Sequence, residues 1–253
     1  MKRLKIGGVP EHFNLPWRLA IEEGKFKAAG IELHWSDMTG GTGQMIKGLQ
    51  AGTLDIAVLL TEGITRAILK GLDAKIIAVY VKTPLIWGVH VPINQGINQL
   101  DDLDASTFAI SREGSGSHLM SYVLAKQRGW DPTALSFNVV GDVYGGLWAL
   151  NNDEAQGFLW EKYTTQPFVD QGKCKRIGEV LTPWPCFVIA VRNEFLAENE
   201  SVMALILEII NATTEEFKYI PSIDRTLATR YHQKLEDIQQ WLQQTQWSQK
   251  NLD

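Results

Sequence analysis

The sequence predicts an α/β protein made of two doubly wound lobes. Strand and helix signals alternate through the first part of the chain, pause at an extended segment, Ile86–Val91, and then alternate a second time. Apolar stretches with helical periodicity stop at glycines such as Gly30, Gly52 and Gly71, as helices commonly do. The short apolar runs between them are typical of buried strands, and such alternation favours parallel sheets with helices on both faces.

The first cycle of signals covers the chain up to Val81. Its clearest strand is the continuous apolar run Asp55–Leu60, which indicates a strand covered on both faces. A glycine-rich corner at Gly40–Gly43 opens a helix that Gly52 closes. The other predicted elements are strands at Leu4–Gly8, Ile31–Trp35 and Ala74–Val81 and helices at Trp17–Ala29 and Glu62–Leu69.

The second cycle follows a polar connector, Asn94–Asp104. A return strand at Cys186–Val191 leads into an amphipathic helix at Ser201–Phe217, and the helical tail Ile223–Gln246 is expected to pack back on the first lobe. Between the polar connector and the return strand, the sequence predicts strands at Thr107–Ser111, Leu135–Val140 and Ala155–Trp160 and helices at Ser117–Arg128, Tyr144–Asn151 and Thr164–Gly172.

Composition restricts the class of partner. The chain has 253 residues, of which 45% are hydrophobic and 21% charged, and its formal net charge is -5, so it lacks the basic surface of a nucleic-acid binder. No apolar run is long enough for a membrane span. The N-terminus has no signal-peptide apolar region, so we expect a cytoplasmic protein, or a periplasmic or lipid-anchored one if an export signal has been removed. We expect a monomer whose main partner is a small molecule.

Catalytic and metal-binding motifs are absent from the sequence. It contains no zinc-protease, Walker or nucleophile-elbow pattern. Cys174 and Cys186 lack metal-ligand spacing, and we interpret them as buried small residues rather than a disulfide. We therefore predict no cofactor and no metal, and a binder rather than an enzyme.

Three segments resemble a known family. They are "GGVPEHFNLPWRLAIEEGKFKAAGIELHW", "GGTGQMIKGLQAGTLDIAVLLTEG" and "SREGSGSHLMSYVLAKQRGWDP". Together they resemble the SsuA/THI5-like (NMT1) solute-binding proteins of the sulfonate, nitrate and thiamine-pyrimidine group. The resemblance covers roughly Leu4 to Phe217 and specifies the fold better than the ligand.

The resemblance implies the type II periplasmic-binding-protein fold, with two doubly wound α/β lobes joined by a two-strand hinge. Lobe I would contain residues 1–88 and 187–253, and lobe II residues 89–186. The ligand would lie in the cleft, and the lobes would close over it by hinge motion at about Ile86–Val91 and Pro185–Val191.

Ligands of doubly wound sheets bind beyond the carboxyl ends of the strands, so the strand-to-helix corners supply the candidate site. Helix N–H groups at Gly40–Gly43 and Gly114–Ser117 could donate to an anion or a ligand carbonyl. Thr42 and Ser117 are expected to cap these two helices. The candidate ligand-binding residues are Glu11, His12, Thr42, Thr61, Glu62, Thr83, Ser115, Ser117, Asp142, Trp160 and Glu161.

Acidic and aromatic residues dominate these corners. Carboxylates that face one cleft repel each other unless a cation or a donor lies between them, so the acids favour a ligand with an amine, amidine or aminopyrimidine group. Each acid alone could instead stabilise a helix N-terminus, or in the case of Glu161 pair with a lysine. The acids are Glu11, Glu62, Glu113, Asp142 and Glu161; the nearby cations are His12, Lys82 and Arg112; the aromatic residues are Phe13, Trp17, Trp87, Tyr144, Trp160 and Trp184.

The sequence therefore predicts a reversible binder of a polar or heteroaromatic small molecule, which would deliver it to an ABC permease if exported. Two alternatives remain open at this stage. One is a cytosolic enzyme of the same fold, of the pyrimidine (thiamine-precursor) or menaquinone-pathway type. The other is a ligand-sensing regulatory module.

Overall fold

A computed structural model describes residues 2–249 of the chain. The described residues form two compact units. Unit 1 contains the described residues up to Thr83 and from Trp184 onward, and unit 2 is Pro84–Pro183. The chain therefore passes between the units twice, at Thr83–Pro84 and at Pro183–Trp184.

Strands and helices alternate as the sequence predicts. The bounds of two strands, Ala74–Val81 and Ile86–Val91, are confirmed to the residue. The strands are β1 (Lys2–Gly8), β2 (Ile31–Asp37), β3 (Ile56–Leu60), β4 (Ala74–Val81), β5 (Ile86–Val91), β6 (Thr107–Ile110), β7 (Ser136–Val139), β8 (Gly157–Glu161), β9 (Lys175–Leu181) and β10 (Phe187–Arg192). The helices are α1 (Leu15–Glu22), α2 (Lys25–Ala28), α3 (Gly41–Gln50), α4 (Thr61–Leu69), α5 (Gly116–Arg128), α6 (Val143–Asn151), α7 (Lys162–Asp170), α8 (Asn193–Glu216), α9 (Ile223–Tyr231) and α10 (Leu235–Gln244).

Each unit is built on a mixed five-stranded sheet. The strand order is β2-β1-β3-β10-β4 in unit 1 and β7-β6-β8-β5-β9 in unit 2. In both sheets the fourth strand, β10 or β5, is antiparallel to its neighbours, and the strands on either side of it run in the common direction. The two units therefore share one topology. The strands that the sequence assigns to a hinge, β5 and β10, are each hydrogen-bonded inside a single sheet.

Three elements differ from the sequence prediction. Gly24 adopts a left-handed conformation (φ 72°) and divides the first predicted helix into α1 and α2. The helix expected from Ser201 begins earlier, at Asn193, and has a kink at Asn199. Strand β9 was not predicted, because it is a polar edge strand with one buried residue, Val180, and so carries no apolar run.

The C-terminal helices pack on unit 1, as predicted. Leu227 of α9 and Ile238 and Trp241 of α10 are buried. The Trp241 ring lies edge-on to His12, with 4.4 Å between ring centroids, and edge-on to Phe13 at 5.2 Å. This tail therefore completes the core of unit 1 against the segment that follows β1.

The two cysteines are free thiols. Cys174 and Cys186 are buried, in unit 2 and unit 1 respectively. Burial raises the pKa of the Cys174 thiol to about 11, which keeps it protonated and unreactive at neutral pH. Both residues are small buried side chains, as the sequence predicts.

Candidate functional site

The carboxyl ends of parallel strands form one edge of each sheet. In unit 1, β1 lies beside β3, yet the connection after β1 leads to β2 and the connection after β3 leads to β4 on the other side. In unit 2, β6 and β8 have the same relationship. A crevice opens where connections diverge in this way, and ligands of doubly wound sheets bind there. Each unit therefore has its own candidate edge, formed by the residues that follow β1 and β3 in unit 1 and by those that follow β6 and β8 in unit 2.

Glu62 is the distinctive group at the edge of unit 1. It lies in the first turn of α4, directly beyond β3. One carboxyl oxygen, Oε2, accepts a hydrogen bond of 2.9 Å from the indole Nε1 of Trp184. The other, Oε1, is buried and has no hydrogen-bond partner among the described residues. Burial raises the pKa of this carboxyl group, and the hydrogen bonds from the backbone N–H of Glu62 itself and from the Trp184 indole only partly offset that effect.

The three candidate threonines of unit 1 bond to backbone atoms. Thr42 Oγ1 accepts from the Leu60 N–H (3.2 Å), Thr61 Oγ1 donates to the Pro185 carbonyl (2.5 Å), and Thr83 Oγ1 accepts from the Gln246 N–H (3.3 Å). These bonds fix the corners around Glu62. The expectation that Thr42 caps α3 is wrong, because Gly40 is the N-cap residue and has no side chain with which to bond.

His12 and Glu11 precede the helices that follow β1. Glu11 is half-buried at the start of a 3₁₀ turn. His12 is 1% exposed and stacks on Phe13 with 4.6 Å between ring centroids. Burial lowers the pKa of His12 to about 3. His12 is therefore neutral at physiological pH and is a core residue, which corrects the expectation of a cationic group here.

The buried histidines should make the protein sensitive to mild acid. The unfolded chain protonates His12 near pH 6.5, whereas the folded chain does so only near pH 3, so stability is full above pH 6.5 and falls as the pH is lowered between these values. His90, with a pKa lowered to about 4, acts in the same direction. Each histidine accounts for up to about 1.4 kcal/mol per pH unit.

A His12→Phe variant should therefore lose stability less steeply between pH 6.5 and 4.5 than the native protein. Urea unfolding at several pH values measures the slope. Burial raises the carboxyl pKa values of Glu62 and Glu161, so these two groups favour the folded state as the pH is lowered. This effect is the same in the variant and in the native protein. Equal slopes for His12→Phe and native protein would contradict a neutral, buried His12.

Ser115 and Ser117 shape the corner after β6. Ser115, rather than Ser117, is the N-cap of α5, and its Oγ accepts from the His118 N–H at 3.3 Å. Ser117 Oγ accepts from the Ser111 N–H at 3.0 Å and lies 3.0 Å from Ser115 Oγ. Both serines are almost fully buried. They hold the loop in place, and the expectation that Ser117 is the cap is corrected.

Two of the candidate acids are helix caps. Asp142 Oδ1 accepts from the Gly145 N–H at 2.9 Å and caps α6. Glu161 caps α7: Oε1 accepts from the Tyr163 N–H (3.1 Å), and Oε2 accepts from the N–H and hydroxyl of Thr164 (2.6 and 2.7 Å). Glu161 therefore uses backbone donors in place of the lysine considered from the sequence. Of the five acids, Glu62 alone combines burial with a carboxyl oxygen that has no partner among the described residues.

The aromatic candidates divide between core and edge. Trp160 is half-buried and packs on the core beneath α6, with its ring 5.4 Å from that of Phe158. Trp184 holds Glu62, as described above. Trp87 and Arg112 lie at the edge of unit 2 and were left out of the predicted ligand-binding set. In the sequence, only their position beside a strand end marks these two residues as candidates for ligand binding.

His90 is a second buried histidine that sequence reasoning missed. It is fully buried on β5, with Nδ1 3.1 Å from the Phe158 carbonyl and Nε2 2.9 Å from Thr165 Oγ1. These bonds fasten α7 to β5 and β8, so His90 has a structural role. Nothing in the sequence distinguishes it from a surface residue except its place in an apolar strand.

Among residues 2–249, no group of three or more His, Cys, Asp or Glu side chains could hold a metal ion. No helix in that range is long and apolar enough to cross a membrane. Unit 1 also has an open groove of about 460 Å³ lined in part by Lys70, Asp73 and Arg192. These residues lie beside the start of β4 and the end of β10, so the groove is at the amino edge of the sheet.

Comparisons with known proteins agree on the fold. Residues 87–180 match the family described as Ca3427-like PBP. The structure of the Candida albicans CA3427 gene product, described as defining a new family with the generic periplasmic binding protein fold, is 27% identical with a TM-score of 0.90. The similarity covers 98% of this chain and 83% of that chain. None of the curated proteins matches the sequence.

Two solute-binding proteins are more distant structural neighbours. The alkanesulfonate-binding protein SsuA from Xanthomonas axonopodis pv. citri, bound to MOPS, has a TM-score of 0.78 at 14% identity and covers 96% of this chain and 86% of that chain. A putative periplasmic sulfonate-binding protein of an ABC transporter from Methylobacillus flagellatus has a TM-score of 0.74 at 16% identity, over 99% of this chain and 82% of that chain. The chain has the periplasmic binding protein fold, in two α/β units.

Proposed function

We propose that the chain is a solute-binding protein that reversibly holds one small polar or heteroaromatic molecule at the carboxyl edges of its sheets. The fold supports this function, since structural neighbours with the same fold are named for the solutes they bind. The repeated strand order supports it too, because it gives each unit a switch point of the kind that binds ligands. The closing of the lobes over the ligand is part of the proposal, and X-ray scattering with and without ligand measures it.

The observation that carries the proposal is the unused oxygen of Glu62. A buried polar group without a partner costs roughly 1–3 kcal/mol, and more when it is charged. None of the causes of its pKa shift is a neighbouring cation. A ligand that donates a hydrogen bond to Oε1 would remove this cost, while the Trp184 indole holds the carboxyl group in a fixed orientation. We therefore infer that the ligand has a donor group, such as an amine, an amidine or an aminopyrimidine.

A Glu62→Gln variant should bind such ligands about tenfold more weakly, because a charge-assisted hydrogen bond is lost. Thermal shift against amines, amidines, aminopyrimidines, amino acids, sulfonates and nitrate identifies a ligand, which at 100 times its Kd stabilises by about 2.7 kcal/mol. Calorimetry then compares the variants. Glu208→Gln, on the exposed side of α8, is the matched control and should bind like native protein. Equal affinity for Glu62→Gln would contradict the role of Glu62, and chemical turnover of the ligand would favour an enzyme.

Whether the chain has a permease as its partner depends on the cellular compartment in which it is found. We propose that the chain delivers its ligand to an ABC permease if it is exported, and that in the cytoplasm it acts as a binder without a permease. Fractionation of cells that make the native protein decides between the two, since a periplasmic pool would contradict the cytoplasmic expectation.

A further inference from the structure

Strand β2 forms an open edge of the unit 1 sheet. It contains seven residues and pairs with β1 in a register that continues without a break along its whole length. Among residues 2–249, β2 has no strand partner other than β1. An exposed strand edge presents a row of backbone groups with which another strand can pair. β2 can therefore accept a further strand.

The other three edge strands are protected. The C-terminal tail covers the end of β4, where Trp247 forms a bridge to Val81 and the Lys82 N–H donates to the Gln246 carbonyl at 2.8 Å. β7 has only four residues. β9 has a break in its register with β5, and its first two residues are cations. Covered ends, short strands, bulges and charges are the usual protections of a sheet edge, whereas β2 is long, regular and uncovered.

The backbone of β2 shows which residues point outward. At one end the Lys2 N–H donates to the Gly30 carbonyl at 3.2 Å, and at the other the Met38 N–H donates to the Gly8 carbonyl at 2.9 Å. The even-numbered residues of this stretch therefore direct their N–H and C=O groups to β1, and the odd-numbered residues direct theirs to the open edge. The central outward residues are Ile31, Leu33 and Trp35.

A groove of about 470 Å³ follows the open edge. The odd-numbered side chains face α1, since the ring centroids of Trp35 and Trp17 are 6.3 Å apart. The groove is lined by Ile31 and Leu33 from this face and by Glu32 from the opposite face, so it runs along the edge of the strand. The apolar residues of α1 and α2 in its lining are Ile21 and Phe26. An added strand would therefore have apolar cover on the helix side.

The residues on either side of Leu33 are self-complementary. In an antiparallel pair with a two-fold axis at Leu33, Ile31 lies opposite Trp35 of a second copy, and Glu32 lies opposite His34 of that copy. The first pair is apolar and lies on the helix side. The second joins a carboxylate to an imidazole, two groups that already lie 3.2 Å apart within one chain and are 35% and 55% exposed. Both kinds of cross-strand pair stabilise a sheet.

Neighbouring registers lack this match. An axis at Glu32 places two carboxylates opposite each other, and like charges in that position are destabilising. An axis at His34 places two imidazoles opposite each other and Ile31 opposite the carboxylate of Asp37. The pattern therefore favours a second copy of this chain, in one register, as the occupant of the edge.

We propose that β2 pairs with β2 of a second copy, antiparallel and centred on Leu33, so that two unit 1 sheets join into one continuous sheet. The outward N–H and C=O groups of the two strands bond to each other. The resulting dimer replaces the monomer expected from the sequence. The inference is independent of the proposed function, because the pairing uses none of the residues proposed to bind the ligand.

Sedimentation of the full chain from about 1 μM to 1 mM measures the dimer, since a strand pair is small and its dissociation constant should be micromolar or weaker. Glu32→Lys and His34→Glu should each raise that constant about tenfold, because two symmetric pairs become repulsive. The charge-swapped double variant should restore it. Lys75→Glu, at an exposed position on the opposite edge strand β4, is the control and should leave it unchanged.

Cysteine cross-linking tests the register. An equimolar mixture of Glu32→Cys and His34→Cys proteins should form an intermolecular disulfide under mild oxidation, because opposite residues of this kind have Cα atoms about 4.5 Å apart. Each variant alone should cross-link several-fold less, and the native Cys174 and Cys186 are buried. A chain that stays monomeric at every concentration overturns the inference. So does a dimer that Glu32→Lys and His34→Glu leave unchanged, or one that Lys75→Glu weakens equally.

Discussion

A Trp241→Ala variant is expected to lose about 3–5 kcal/mol in free energy of unfolding, the range for truncation of a buried tryptophan. Trp241 is 2% exposed on α10. Its ring contacts His12 edge-on, and it lies 5.7 Å from the ring of Trp247. The truncation would leave a cavity between the C-terminal helices and the segment after β1. Denaturant unfolding followed by far-UV circular dichroism measures the change without using tryptophan fluorescence.

Trp148→Ala is the matched control in unit 2. Its side chain is 55% exposed on α6, so the same truncation should cost less than about 1 kcal/mol. Similar losses for the two variants would show that the C-terminal tail adds little to the core of unit 1, contrary to its burial.

Replacing Asp55 by alanine should cost about 3 kcal/mol, because it removes one partner of a largely buried ion pair. Asp55 Oδ1 accepts from Arg192 Nη2 at 2.8 Å, and Oδ2 accepts from the Lys5 N–H at 2.9 Å. The side chains of Arg192 and Asp55 are only 20% and 13% exposed. Asp55 thus joins β1, β3 and β10 at the amino edge of the sheet, and its loss leaves Arg192 without its buried partner.

Glu32→Ala provides the comparison for Asp55. It breaks the ion pair in which Arg3 Nε lies 2.8 Å from Glu32 Oε2. The side chains of Arg3 and Glu32 are 79% and 35% exposed. An exposed pair contributes at most about 1 kcal/mol. Asp55→Asn retains an acceptor for the Lys5 N–H but removes the charge. Its loss in free energy of unfolding should lie between the losses of Asp55→Ala and Glu32→Ala. An Asp55→Ala loss no larger than that of Glu32→Ala would rule out a structural role for the buried pair.

The order of elements could be predicted because burial leaves a periodic pattern in the sequence. β4 and β5 are apolar enough for their bounds to be read directly. β9 could not be predicted, since an edge strand pairs through its backbone and needs few apolar side chains. The break between α1 and α2 depends on the left-handed conformation of Gly24, which periodicity does not encode.

The candidate site could be predicted only as a set of corners. Asp142 and Glu161 follow strands as a ligand-binding acid would, and an acid that caps a helix occupies the same position in sequence. The structure shows that Asp142 and Glu161 cap helices and that Oε1 of Glu62 has no partner among the described residues. Arg112 was recognised as a nearby cation, but its partial burial, which lowers its pKa, depends on residues distant in sequence.

The sequence by itself determined the α/β class, the two cycles and the strand ends where a ligand would bind. These follow from local periodicity and from the stop signals of glycine, which act over one element at a time. Only the tertiary structure decided which polar groups are satisfied: His12 lies among aromatic rings, Glu161 bonds to the first turn of α7, and Oε1 of Glu62 has no partner among the described residues. Hydrogen bonding and desolvation depend on neighbours brought together by the fold, so the character of the site was not in the sequence pattern.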